Sequence, residues 1–252
     1  MDIHLDEKKW LMSMLEKNEL GSRPVYTLTI YARYLKNAGA DNADIKGRLE
    51  ELLVRCDPNV NLLRWEGKID YAIKRSTDRR LAEINEVVVT KSETDTIKSV
   101  TGIQRQRILF VLICLAKYYR DAFDRHGCWV NVKTGEIRTM SNVSVPNTYF
   151  GLMINDLVRA GLISKRKRLD STSVQVHCIN DDSDPEIHIT DFRNLGFQYD
   201  NYLHGGFIEC AECGLLIKRC GTRQKYCKDC ARLVNIRKTM QLQRGENSIN
   251  MV

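Results

Sequence analysis

Four cysteines constrain this chain more than any other feature. They read Cys210-Ala211-Glu212-Cys213 and Cys227-Lys228-Asp229-Cys230, two C-x2-C pairs with thirteen residues between them. Two intervening residues let both sulfurs of a pair reach one ion without straining the backbone. Four thiolates at about 2.3 Å around a tetrahedral Zn2+ are the usual outcome of this spacing. Gly214 follows the first pair, where a tight turn calls for positive φ. Leu215 to Arg219 and Gln224 to Tyr226 read as the arms of a hairpin with Cys220-Gly221-Thr222-Arg223 at its tip. The second pair runs into a predicted helix from Ala231 to Lys238.

Knuckle, hairpin and a helix whose first turn carries the last two ligands together resemble the treble-clef class of zinc finger. A helix N-terminus also favours thiolates. Disulfide pairing is the alternative for such cysteines, but the other five, Cys220 among them, are scattered singly, as in a reducing compartment. With all four metal positions filled by protein, none is left for a catalytic water. The expected cofactor is therefore one structural Zn2+ held by Cys210, Cys213, Cys227 and Cys230.

Charge points to a polyanion. The net charge is +7, and residues 207–252 supply most of it, with nine Lys and Arg against four Asp and Glu. Residues 1–101 are balanced at seventeen each. Solubility of a small metal module is the bland explanation and a nucleic acid the sharper one. No signal peptide precedes Met1, and the longest apolar run, Ile108 to Ala116, has half the length of a bilayer span. A cytoplasmic protein with no membrane partner is expected.

The expected class is mainly α, in an α+β arrangement. Residues 1–101 read as a helical domain, with helices over Asp6–Leu20, Pro24 to Gly39, Asn42 to Cys56, Leu62 to Arg75, and a capping box at Thr90-Lys91-Ser92-Glu93. Residues 102–180 have the order of a winged helix-turn-helix. A long apolar helix from Gln104 to Arg125 comes first, then an extended Trp129–Val132 and a short helix from Lys133 to Ser141. A second helix runs from Pro146 to Ala160, and Ser164–Leu169 and Ser173–Ile179 are strand-like around Asp170-Ser171-Thr172. In DNA-binding winged helices the second helix enters the major groove and the wing touches phosphate. Asn147, Thr148, Asn155 and Arg159 are the candidate base contacts, although Asp156 lies among them. Lys165, Arg166, Lys167 and Arg168 are the candidate phosphate contacts of the wing. Arg219, Arg223, Lys225 and Arg232 are those of the zinc module. Residues 181–206 read as a linker with short elements: an acidic Asp181–Glu186 loop, a strand candidate at Ile187-His188-Ile189, and a short turn capped by Thr190 or Asp191 through Leu195, with Gly196 ending it. Residues 207–244 form the zinc module and basic helix, and 245–252 a disordered tail.

From about Thr90 to Lys238 the chain resembles a group of phage and prophage zinc-finger proteins of Gram-positive bacteria. The residues that carry this are Thr90-Lys91-Ser92-Glu93, the helix Arg107–Tyr118, Met153-Ile154-Asn155-Asp156-Leu157, Asp191-Phe192-Arg193-Asn194-Leu195-Gly196 and Arg223-Gln224-Lys225-Tyr226-Cys227-Lys228-Asp229-Cys230. The resemblance implies a phage-encoded zinc protein acting in a bacterial cell, and no activity comes with it. Two functions follow from the whole reading. The first is a non-enzymatic nucleic-acid-binding protein, a regulator that binds DNA, with RNA as the other polyanion. The second is a protein-binding effector that inhibits or redirects a host complex such as a polymerase or a defence nuclease. No acid–base pair, activated nucleophile or open metal site appears at a recognisable spacing for an enzyme.

Overall fold

The computed structural model describes residues 3–77, 79–124, 126–166 and 173–249, with side chains as far as residue 241. It is a mixed helix and sheet protein, with ten α-helices and three small antiparallel sheets among the described residues. None of these helices is long and apolar enough to cross a membrane.

The first unit is helical. Asp6 caps α1 (Glu7–Lys17) by accepting from the Lys9 N–H, and Asp41 caps α3 (Asn42–Cys56) through the Asp44 N–H. Between them α2 (Pro24–Asn37) opens on a proline, whose missing N–H costs nothing at that position. A 3-10 turn at Leu62–Arg64 leads to α4 (Glu66–Arg75). Leu11, Leu28, Ile30, Ile45, Leu49, Leu52 and Ile69 meet with no exposure, so these helices own a separate core. That core closes at Leu81, earlier than the boundary expected near residue 101.

The buried apolar residues described from Ala82 to Tyr199 share a second core, which Ile3 and Leu5 join. Val87–Thr90 is not helical but a strand, β1, leading into α5 (Lys91–Ser99). The capping box is made, since Glu93 accepts from the Thr90 N–H at 2.8 Å. The long helix α6 (Ile103–Phe123) runs through the middle of this core. Its residues from Ile108 to Ala116 are all fully buried, as an apolar surface on every side requires. Around it lie β2 (Trp129–Val130), α7 (Thr134–Met140), α8 (Asn147–Arg159), β3 (Ile163–Lys165) and β4 (Val174–Val176). The three strands form one sheet in the order β2-β4-β3, with Val130 opposite Val174 and Ile163 opposite Val176. β3 therefore starts a residue earlier and stops sooner than expected. The proposed turn at Asp170-Ser171-Thr172, with Lys167, Arg168 and Leu169, lies outside the described residues.

The short elements expected within residues 181–206 are present and pack on the core around α6. β5 (Pro185–Ile189) pairs antiparallel with β1, placing Val87 opposite Ile189 and Val89 opposite Ile187. α9 (Leu195–His204) packs on α6, with Tyr199 fully buried against Phe110. Gly196 begins this helix rather than ending a turn. A Cβ there would collide with the Ser141 carbonyl, so its bare Cα is what lets α9 approach the end of α7. The acidic loop is tied down as well. Lys117, buried on α6, donates to the Val88 carbonyl at 2.8 Å and pairs with Glu93 at 2.8 Å and Asp181 at 3.1 Å. Arg120 holds Asp181 from the other side at 2.5 Å. Burial alone would raise the Asp181 carboxyl, but the hydrogen bonds from Arg120 and Lys117 outweigh it and hold the group below its usual range.

A third lobe follows. β6 (Phe207–Glu209) and β7 (Leu216–Lys218) form a hairpin, and α10 spans Lys228–Ile249. This differs from the expected hairpin in two ways. β7 pairs with a strand before the first cysteine pair, and Gln224 to Tyr226 is loop. The last helix also continues past Gly245, where an unstructured tail was expected.

Candidate functional site

The hairpin turn places Cys210 and Cys213. The Cys210 carbonyl accepts from the Gly214 N–H at 2.8 Å, and Gly214 sits at φ 69°, as the tight turn demands. Cys227 precedes α10 and Cys230 falls in its first turn. The Ala211 N–H donates to the Lys225 carbonyl at 2.9 Å, which brings the two pairs face to face. The sulfurs of Cys210, Cys213, Cys227 and Cys230 then lie within 4.8 Å of one another, as a cluster able to hold a metal ion. Four sulfurs at bonding distance from one tetrahedral ion would be roughly 3.8 Å apart. The Cys213 and Cys227 sulfurs are 3.9 Å apart, so the donor set fits. Cys220 is exposed and stands outside the cluster.

The electrostatics also call for a cation. Burial would push the Cys210 thiol up, but backbone N–H groups of Cys227, Cys213 and Glu212 bring it down to about 6. The Cys227 N–H donates to the Cys210 sulfur at 3.2 Å. Cys230 is pushed up, chiefly by its hydrogen bond with the Cys227 sulfur and by burial. Cys213 is also raised, by burial first and by neighbouring sulfurs. Sulfurs this close resist a second negative charge unless a metal shares it.

The lobe is fastened to the rest of the protein through the start of α9. The Arg193 guanidinium donates to the Cys213 carbonyl at 2.9 Å, and the Asn194 amide to the Leu216 carbonyl at 3.2 Å. Phe197 packs on Phe207, 5.4 Å between ring centres. Arg193 thus supports a residue of the cysteine cluster directly, a role its sequence position gave no sign of. Arg219, Arg223, Lys225 and Arg232 are all exposed on the lobe. Arg219 donates to the carbonyls of Gly221 and Thr222, and no ion pair engages any of the four among the described residues. Arg237 pairs with Glu212 at 2.6 Å.

No family model, curated protein or solved structure matches this chain.

The second candidate surface is α8. Phe150, Ile154 and Leu157 anchor one side of it in the core. Thr148, Leu152, Asn155 and Arg159 follow at spacings of four, three and four, so they form a single outward stripe. Leu152 is 56% exposed and its neighbour Tyr149 61%. The sequence singled out Asn147, Thr148, Asn155 and Arg159 here, but not Tyr149 or Leu152. The amide oxygen of Asn147 accepts from Arg138 at 2.7 Å, and that of Asn155 from Lys165 at 2.6 Å. Asp156 is held by Arg105 of α6 at 2.7 and 2.9 Å. Lys165 ends β3, and Arg166 continues the pairing through its N–H to the Ser173 carbonyl. Lys167 and Arg168 lie outside the described residues. A groove of about 600 Å³, lined by Arg138, Asn142, Val143, Pro146 and Phe197, opens beside the first turn of α8. The structure thus joins Lys165 and Arg138 to α8. Among the described residues it shows no bond between α8 or β3 and the four cations of the cysteine lobe.

Proposed function

We propose that this chain is a non-enzymatic nucleic-acid-binding protein, a DNA-binding regulator encoded by a phage and working in the cytoplasm of its bacterial host. A structural zinc ion staples its C-terminal lobe. The observation that carries the reading is the uncovered stripe of α8, flanked by the cations Arg138 and Lys165. The element order supports it. A helix, a strand, two helices and two strands, with the sheet ordered β2-β4-β3, is the order a winged helix would have. In that fold α8 would be the helix that enters a major groove, and Lys165 and Arg166 would stand at the base of the wing. Asp156, which would repel phosphate, is neutralised by Arg105. The four thiolates and their tetrahedral spacing favour zinc, and the position of the last pair at the start of α10 supports a treble clef. Phosphate contacts would come from Lys165, Arg166, Arg219, Arg223, Lys225 and Arg232, with Lys167 and Arg168 extending the series.

A second reading is favoured by one specific observation. Leu152 and Tyr149 expose apolar surface in the middle of the same stripe, as a protein-docking helix would. In that case the chain is an effector of a host polymerase or nuclease. Affinity capture of the tagged protein from a bacterial extract, with and without nuclease treatment, separates the two. The DNA reading predicts bound nucleic acid, and no partner protein after nuclease. A protein retained after nuclease, at stoichiometric amounts, would replace it with the effector reading.

A further inference from the structure

The hydrogen bonds around α8 fix which chemical groups it can offer. Arg and Lys carry donors only, so the amide atom that meets each of them must be the oxygen. Asn147 gives its oxygen to Arg138 and Asn155 gives its oxygen to Lys165. Both amides are thereby turned with their NH2 groups away from the cation. Asp156, the acceptor of this face, has one oxygen bonded twice by Arg105 and the other 3.7 Å from Arg159. Arg159 itself is a donor, and its side chain is 82% exposed. Apart from the Thr148 and Tyr149 hydroxyls, which can play either part, and the second Asp156 oxygen, which lies 3.7 Å from Arg159, the polar groups of this face that remain free are donors. Leu152 sits among them as an exposed apolar group.

Resting on the DNA reading above, we infer that α8 is a guanine reader. In the major groove guanine shows two acceptors, N7 and O6, side by side. Adenine shows one acceptor and one donor, and cytosine shows a donor. A face on which donors predominate complements guanine and leaves adenine's N6 and cytosine's N4 facing donors. Arg159 can take both guanine acceptors, and the Asn155 and Asn147 amides one each. Leu152 is suited to a thymine methyl. Thr148 to Arg159 spans about 16 Å along the helix. That reach covers roughly five base pairs at about 3.4 Å each. The expected half-site is thus short, rich in guanine on one strand, with thymine near its middle.

The test is selection from a randomised duplex library with the full-length, zinc-loaded chain, followed by binding to the recovered site. Recovered sites should share guanines within one run of about five base pairs. Replacing one of these guanines by adenine should weaken binding roughly tenfold. Replacing it by 7-deazaguanine, which keeps pairing but lacks the N7 acceptor, should also weaken it. Asn155→Asp, at an exposed position, exchanges a donor for an acceptor and should shift the preference at one base pair from guanine towards cytosine. Sites without guanine, indifference to 7-deazaguanine or an unchanged preference in Asn155→Asp would overturn the inference. Tight binding to every duplex alike would overturn it and leave the DNA reading standing. Failure to retain any duplex would overturn both.

Discussion

The cysteine lobe and the core around α6 are held together by opposite means. Around α6, every side chain from Ile108 to Ala116 is sealed from water, and Phe110, Phe150 and Tyr199 are fully buried. In the lobe, the buried cluster consists of Cys210, Cys227 and Cys230, with Leu215, Ile217 and Tyr226 only partly covered. Apolar burial contributes about 25 cal/mol per Å², so the first region can stand on packing and the second cannot. The comparison says where a metal ion matters. It should decide the folding of one lobe and be nearly irrelevant to the other.

Removing the metal should therefore produce the largest effect and the most local one. Structural zinc contributes on the order of 10 kcal/mol to the folding of such modules. Chelation, or Cys227→Ser, should abolish amide protection in β6, β7 and the start of α10 while α6 stays protected. Loss of protection in both regions together would break the comparison. The reverse experiment is Phe110→Ala, which empties a fully buried site beside Tyr199. It should cost about 3–5 kcal/mol in denaturant unfolding of the α6 core, with metal content unchanged. Gly196→Ala probes the joint between the two regions. Its Cβ meets backbone, which cannot rotate away as a side chain can. A loss of about 1–3 kcal/mol is expected, with faster exchange at α9 and at the Arg193 and Asn194 contacts to the lobe.

Asp181→Asn should give the smallest change. Its carboxyl is held below the ordinary value, so its contribution is present above that value and fades as pH falls through the lowered one. The wild-type protein should lose part of its stability as pH drops from about 4 downward, and the variant should show a flatter acid limb. Lys117 keeps Glu93 and the Val88 carbonyl as partners, which limits the damage at neutral pH. Urea midpoints measured across this range check both statements.

How much of this could be read from the sequence follows the same division. The cysteine cluster was legible because its spacing is local and its chemistry specific. The helices of the first unit were legible for similar reasons, through a regular apolar spacing. What escaped was set by distant partners. Val87-Val88-Val89-Thr90 is a β-branched run, but the strand that pairs with it lies about a hundred residues on, at Pro185–Ile189. Gly196 reads locally as a helix stop, whereas the Ser141 carbonyl explains it. Asp181 reads as solvated because nothing nearby in sequence announces Lys117 and Arg120. The hairpin of the lobe was misplaced because Phe207–Glu209, only three residues long, carries little signal of its own. On α8 the polar candidates lie exposed, as a contact face needs, and the exposed Tyr149 and Leu152 carried no signal that set them apart from core residues.

The central claim is that the exposed cations of this protein meet phosphate, and salt dependence tests it most directly. Binding of the zinc-loaded chain to a duplex should weaken steeply as salt rises, with a log–log slope of about −0.9 per phosphate contacted, near −5 for six cations. Removing Arg223, Lys225 and Arg232 together should bring the slope about three contacts closer to zero. A slope near zero, or no measurable binding to DNA or RNA at low salt, would contradict the account.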